Sequence, residues 1–154
     1  MSAISTIYSS VVSRIETVLD VSTNGYRRIP NPYSVVDNAE LNLRKGYGLA
    51  ILPATNQEVQ LNCKISISRQ SEIILTRLYT GDDENAQTRA ALELLLLEDQ
   101  YKLINNIEQD ASVSTSGLIM KFTGDSGIEY VSGESSRFFM LRTQFSLDYM
   151  ELYT

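Results

Sequence analysis

At 154 residues, 43% of them hydrophobic and 21% charged, the chain has the size and composition of one ordinary folded domain, able to bury about two-thirds of its unfolded surface. Its net charge of −6, from 13 basic and 19 acidic residues, argues against coating DNA or RNA, which needs a concentrated positive surface. The longest purely apolar run is short, as at Leu94 to Leu97, where a membrane-spanning helix needs ~18 or more residues.

The segment from Met1 to Asp20 lacks the basic stretch, apolar run and cleavage site of a signal peptide, so a cytoplasmic site of synthesis is expected. The single cysteine, Cys63, cannot form an internal disulfide, in keeping with a reducing compartment. Charge is unevenly spread: residues 1–80 hold 8 basic and 6 acidic residues, residues 81–154 hold 5 and 13. Such asymmetry fits either a solvated acidic helix face or pairing of one copy's basic end with another's acidic end.

The first element is an amphipathic helix. Ile4, Ile7, Tyr8, Val11, Val12, Ile15, Val18 and Leu19 recur at three- and four-residue spacings, with Ser2 as N-cap and Asn24-Gly25 as the stop. Residues 26–45 hold neither period for long, and Pro30 and Pro32 keep them extended, which predicts a long connection or contact loop. Tyr47 to Leu52 reads as a strand ended by Pro53. From Glu58 to Ser68, Val59, Leu61, Cys63, Ile65 and Ile67 alternate with polar residues, predicting one half-buried strand. A third strand is expected from Ile73 to Tyr79.

Gly81 to Asn85 breaks the sheet and opens a second helix, Ala86 to Ile107. Its stripe of Leu92, Leu94, Leu95, Leu96, Leu97, Tyr101, Leu103, Ile104 and Ile107 is wider than one sheet face needs. The helix is therefore either buried on two sides or partly reserved for another subunit. Leu118 to Phe122 and Ile128 to Val131 flank Gly124-Asp125-Ser126-Gly127, which reads as a hairpin turn. A last strand runs from Phe138 to about Tyr149, with Phe139, Leu141, Thr143, Phe145, Leu147 and Tyr149 on one side. The expected fold is a single α+β domain over residues 1–154. It has a mainly antiparallel sheet with two helices on one face, in the order α-β-β-β-α-β-β-β.

Chemistry is hard to find. Without histidine, a Ser-His-Asp or Cys-His site is excluded, and one cysteine cannot build a zinc site. Asp82-Asp83-Glu84 lacks the alternating ligands of a calcium loop. Gly46-Tyr47-Gly48 and the Gly124–Gly127 turn lack the pattern and lysine of a phosphate loop. No enzyme activity, metal or cofactor is expected. Arg27-Arg28 and Arg44-Lys45 flank the long connection near Tyr26, Tyr33 and Tyr47. Basic residues beside aromatics could hold single-stranded nucleic acid, but Arg and Tyr are equally enriched at protein interfaces, the preferred reading.

The order of elements resembles the tail-terminator (tail-completion) proteins of long-tailed bacteriophages. The features that carry it are the helix ISTIYSSVVSRIETVL, the connection YRRIPNPYSVVDN, the strand EVQLNCKISIS, the helix ALELLLLEDQYKLI, the hairpin around SGIEYVSGE and the strand RFFMLRTQFSLDYMEL. The resemblance implies a virion structural protein, assembled in the host cytoplasm. It would form a homo-oligomeric ring, usually a hexamer, that caps the tail tube, stops its growth and joins it to the neck. Its partners would be itself, the tail tube protein and a neck or head-completion protein, with genome DNA passing through unbound and no membrane involved. The family supplies no catalytic residues. Placement and residue type single out Arg27, Arg28, Tyr33, Arg44, Lys45 and Arg69 for contacts with neighbours. The alternatives are another neck or head–tail connector subunit, or a small cytoplasmic adaptor.

Overall fold

A left-handed Asp20 divides the N-terminal amphipathic segment in two. The computed structural model describes residues 3–29, 45–60, 64–79, 86–109, 119–132 and 137–152. Helix α1, Ala3–Val18, buries Ile7, Val11 and Ile15 at four-residue spacing, and Leu19 continues the row. The helix then tightens, Asp20 N–H bonding Thr17 O at 3.2 Å, and Asp20 takes φ 49°. Aspartate is among the few residues that visit this conformation readily. A short helix α2, Val21–Asn24, follows and ends on Gly25 at φ 75°. Asn24-Gly25 thus stops α2, not α1; Ser2 lies outside the described residues.

The remaining elements are β1 (Tyr26–Arg28), β2 (Lys45–Gln60), β3 (Lys64–Tyr79), α3 (Ala86–Gln109), β4 (Ile119–Ser132) and β5 (Arg137–Leu152). The strands form one sheet in the order β1-β2-β3-β5-β4. Every neighbouring pair is antiparallel except the short parallel pair β1–β2. The α+β class and mainly antiparallel sheet agree with the sequence reading. The order does not: it is α-α-β-β-β-α-β-β, and three local readings change with it.

First, the connection expected over 26–45 has strands at both ends, Tyr26 pairing Lys45 and Arg28 pairing Tyr47. A three-residue strand is too short to show a period. Its interior, with Pro30, Pro32, Tyr33 and Arg44, lies outside the described residues. Second, the alternating stretch from Glu58 to Ser68 belongs to two antiparallel strands. Val59 lies opposite Ile65 and Gln60 opposite Lys64, so the chain reverses between β2 and β3. Both arms keep the same alternation through the reversal, and no glycine or proline marks it; Leu61 and Cys63 lie outside the described residues. β2 also continues past Pro53, through register shifts between Ile51 and Asn56. Beyond Tyr47 no described strand pairs its outer side, and a proline is tolerated at such an edge.

Third, Gly124–Gly127 is a bulge inside one continuous strand, β4, not a hairpin turn. Gly127 takes φ 69°, and its N–H bonds Asp125 Oδ1 at 2.8 Å. Ser126 Oγ accepts the Arg142 N–H at 3.1 Å, standing in for a ladder carbonyl. The turn-forming residues are present, but their side chains complete the β5 ladder instead of reversing the chain.

Both long helices lie on one face of the sheet and share one core. Ile7, Val11 and Ile15 of α1 and Leu96, Leu103 and Ile107 of α3 meet Tyr47, Leu49, Ile73, Leu75, Leu141, Phe145 and Leu147. The expected inward row of β5, Phe139 to Tyr149 by twos, is buried throughout. On the outer face a small apolar cluster of Ile29, Ala50, Ile74 and Met140 lies near the β1 end. A side chain at Gly46 would collide there with Thr76 Oγ1 and Ile29. A 16-residue strand spans about 53 Å, whereas the 24-residue α3 spans about 36 Å and α1 about 24 Å. The strands outrun the helices, which leaves Pro53, Ala54, Thr55 and Gln57–Val59 exposed.

Candidate subunit interface

Helix α3 carries more apolar surface than the sheet can cover. Leu96, Leu103 and Ile107 enter the core, with Leu92 and Ile104 partly buried beside them. On the opposite side Leu94 (57% exposed), Leu97 (42%) and Tyr101 (68%) form a row at spacings of three and four, with Leu95 (40%) next to it. Of the two explanations for the wide stripe, burial on two sides does not hold among the described residues. Covering this row would take contiguous apolar surface out of water, the main driving force of most protein associations. Glu93 and Glu98 flank the row, and Arg89 holds Glu93 at 3.4 Å.

Two polar clusters orient the helices that present this surface. In the first, the hydroxyl of buried Tyr26 donates to Asp99 Oδ2 of α3. Lys45 Nζ lies over the Tyr26 ring at 5.5 Å, and Lys102 reaches Asp99 at 3.7 Å. Burial, followed by the bond to Asp99, holds the Tyr26 phenol well above its ordinary pKa. Burial and then the neighbouring Arg77 push the Lys45 ammonium below its own. In the second, Tyr47 donates to Glu16 Oε1 of α1 at 2.5 Å, while Arg28 donates to Tyr8 Oη at 2.6 Å and stacks over its ring. Deeper in the sheet, Gln100 of α3 donates to Thr143 Oγ1 at 3.2 Å and to Asp125 Oδ2 at 3.0 Å, so the β4 bulge also anchors α3.

Of the residues singled out from sequence, Arg27, Arg28 and Lys45 come together on the paired strands β1 and β2, and Arg69 lies further along the sheet on β3. Arg27 is exposed on β1. Arg28 and Lys45 serve the internal clusters just described. Arg69 donates to Tyr149 Oη at 2.9 Å and to Leu52 O at 3.3 Å, tying three strands together. Tyr33 and Arg44 lie outside the described residues, as do Cys63 and Asp82-Asp83-Glu84. Among the described residues no group of three or more Cys, Asp or Glu side chains is placed to hold a metal ion, and no helix is long and apolar enough to cross a membrane. The exposed α3 row was visible in the sequence as excess width of the stripe. The Tyr26–Asp99 and Tyr47–Glu16 bonds had no such signal, because each joins residues distant in the chain.

The phenol of Tyr47 has a directly testable consequence. Burial first, then the bond to Glu16, raise its pKa from 10.0 to about 12. A folded-state pKa above the unfolded one contributes stability that is complete below about pH 10 and is lost as pH rises toward 12. The melting temperature is expected to fall steeply across that window, with a smaller fall in Tyr47→Phe, which has no phenol to ionise there. Equal slopes for the two proteins would contradict the assignment.

No family model matches the chain, and no curated protein matches it in sequence.

Proposed function

We propose that this protein is a virion structural protein of the tail-terminator kind: a subunit that closes with copies of itself into a ring on the end of a phage tail tube, stops its growth and meets the neck. The observation that carries this reading is the uncovered Leu94–Leu97–Tyr101 row on α3. A contiguous apolar row on a helix with charged flanks is the signature of a protein contact. The open edges of the described sheet, β2 beyond Tyr47 and β4, favour contacts through side chains over strand addition. β2 carries Pro53 and register shifts, and β4 its bulge, and such irregularities blunt edge pairing. The acidic balance suits a conduit: six copies at −6 each carry −36, and carboxylates facing a channel would repel a DNA backbone.

Light scattering over a range of protein and salt concentrations tests the reading. A discrete species near six protomers is expected, and electron microscopy should show it capping tail tubes. Leu94→Glu with Leu97→Glu should reduce the species to monomers without lowering the melting temperature of the protomer. A stable dimer under every condition would overturn the ring.

A further inference from the structure

The α3 row does not complement itself. An antiparallel pair of α3 helices that set Leu94 against the partner's Tyr101 would place its two-fold axis near residue 97.5. Glu98 would then lie about 1.5 Å along the axis from its own symmetry mate. A parallel pair sets Glu98 against the partner's Glu93, five residues apart across the seam, so like charges meet again. Sliding the antiparallel pair to part the carboxylates takes Leu94 away from an apolar partner. The row therefore fits a different surface, one that is apolar and flanked by cations.

Outside α3, the large exposed apolar side chains among the described residues are Val59, Ile119, Tyr130 and Met150. Tyr130 already packs on Phe139 and lies under Arg89. Val59 lies opposite Ile65 on the helix-bearing face of the far hairpin. Ile119 and Met150 share the outer face: Ile119 pairs Asp148 and Met150 pairs Ser66, which makes them diagonal neighbours about 7–8 Å apart. Exposed Lys121 and Lys64 bracket them, each two residues away along its strand from Ile119 or from Ser66. Asp148 between them is bonded to Ser68 Oγ at 2.5 Å. Charges thus complement: Lys64 and Lys121 answer Glu93 and Glu98, and Lys102 of α3 answers Glu58, which pairs Ser66 on this same face.

Resting on the ring reading above, we infer that the outward face of α3 docks on the Ile119–Met150 end of the outer sheet face of the next copy. The two surfaces cannot meet within one chain, because α3 covers the opposite face of the sheet. The contact is head-to-tail, the kind that closes into a ring.

Disulfide trapping in a Cys63→Ser background tests it. A copy bearing Leu97→Cys, mixed with a copy bearing Met150→Cys and oxidised, is expected to give a cross-linked pair, with neither copy cross-linking alone. Cross-linking of the Leu97→Cys copy to itself would overturn the head-to-tail contact. A ring by light scattering with no cross-link in the mixture would overturn the docking site and leave the ring reading standing. No oligomer of the unmodified protein at any concentration would remove both. Charge reversal gives a second readout. Glu98→Lys alone and Lys121→Glu alone should each raise the assembly midpoint about tenfold, and the double variant should return toward the original value. Absence of that rescue would assign the two charges to separate surroundings and refute their pairing.

Discussion

Phe145→Ala is expected to cost about 3–5 kcal/mol of folding stability, the range for truncating a fully buried phenylalanine. Phe145 is fully buried at the centre of β5, where it meets Phe122 edge-on at 6.0 Å between ring centres. It sits beneath the core shared by α1 and α3. Its surroundings cannot collapse to fill the cavity, because β5 is hydrogen-bonded on both sides, to β3 and to β4. A domain of this size has about 5–15 kcal/mol in total, so the variant should be marginal. Urea unfolding followed by circular dichroism measures the loss as a lower midpoint at similar slope. A loss under 1 kcal/mol would mean that the centre of the sheet is not packed as described. Phe145→Leu, which keeps most of the volume, should recover more than half of the loss.

Asp99→Ala is the second substitution with a large expected effect, about 2–4 kcal/mol. Asp99 accepts the hydroxyl of buried Tyr26, and Lys102 lies 3.7 Å away. Removing the carboxylate leaves a buried phenol without its acceptor, which costs about 1–3 kcal/mol. It also leaves Lys45 and Arg77, on adjacent strands, without the nearby negative charge that offsets their mutual repulsion. Tyr26→Phe removes the hydroxyl but keeps the ring under Lys45 and the carboxylate beside it, so it should cost less than Asp99→Ala. The double variant should cost less than the sum of the two. Strict additivity would show that the hydroxyl and the carboxylate do not act as a unit.

Corrections to the sequence reading fall where pairing, not period, decides the structure. Val59 and Ile65 alternate in phase whether they lie on one strand or face each other across a hairpin, so alternation alone could not place the reversal between them. Gly124 to Gly127 has the composition of a turn, and only the arrival of Arg142 N–H at Ser126 Oγ makes it a bulge in a continuous strand. The proposed interface was half legible. An α3 stripe wider than a sheet face needs announced a surplus, but which leucines form that surplus depends on how α3 is rotated against β4 and β5. Residue type alone did not reveal that Arg28, Lys45 and Arg69 have partners inside the chain.

What the amino-acid order determined by itself is what local geometry reads out. The four-residue rhythm of Ile7, Val11 and Ile15 makes a helix, and the two-residue rhythm from Phe139 to Tyr149 makes a half-buried strand, whatever else the chain does. Strand order, the position of the bulge, and the bond between Tyr26 and Asp99, 73 residues apart, were decided by the tertiary structure. These depend on which distant groups lose water together, and a hydrogen bond or a covered leucine counts only against the particular surface that meets it.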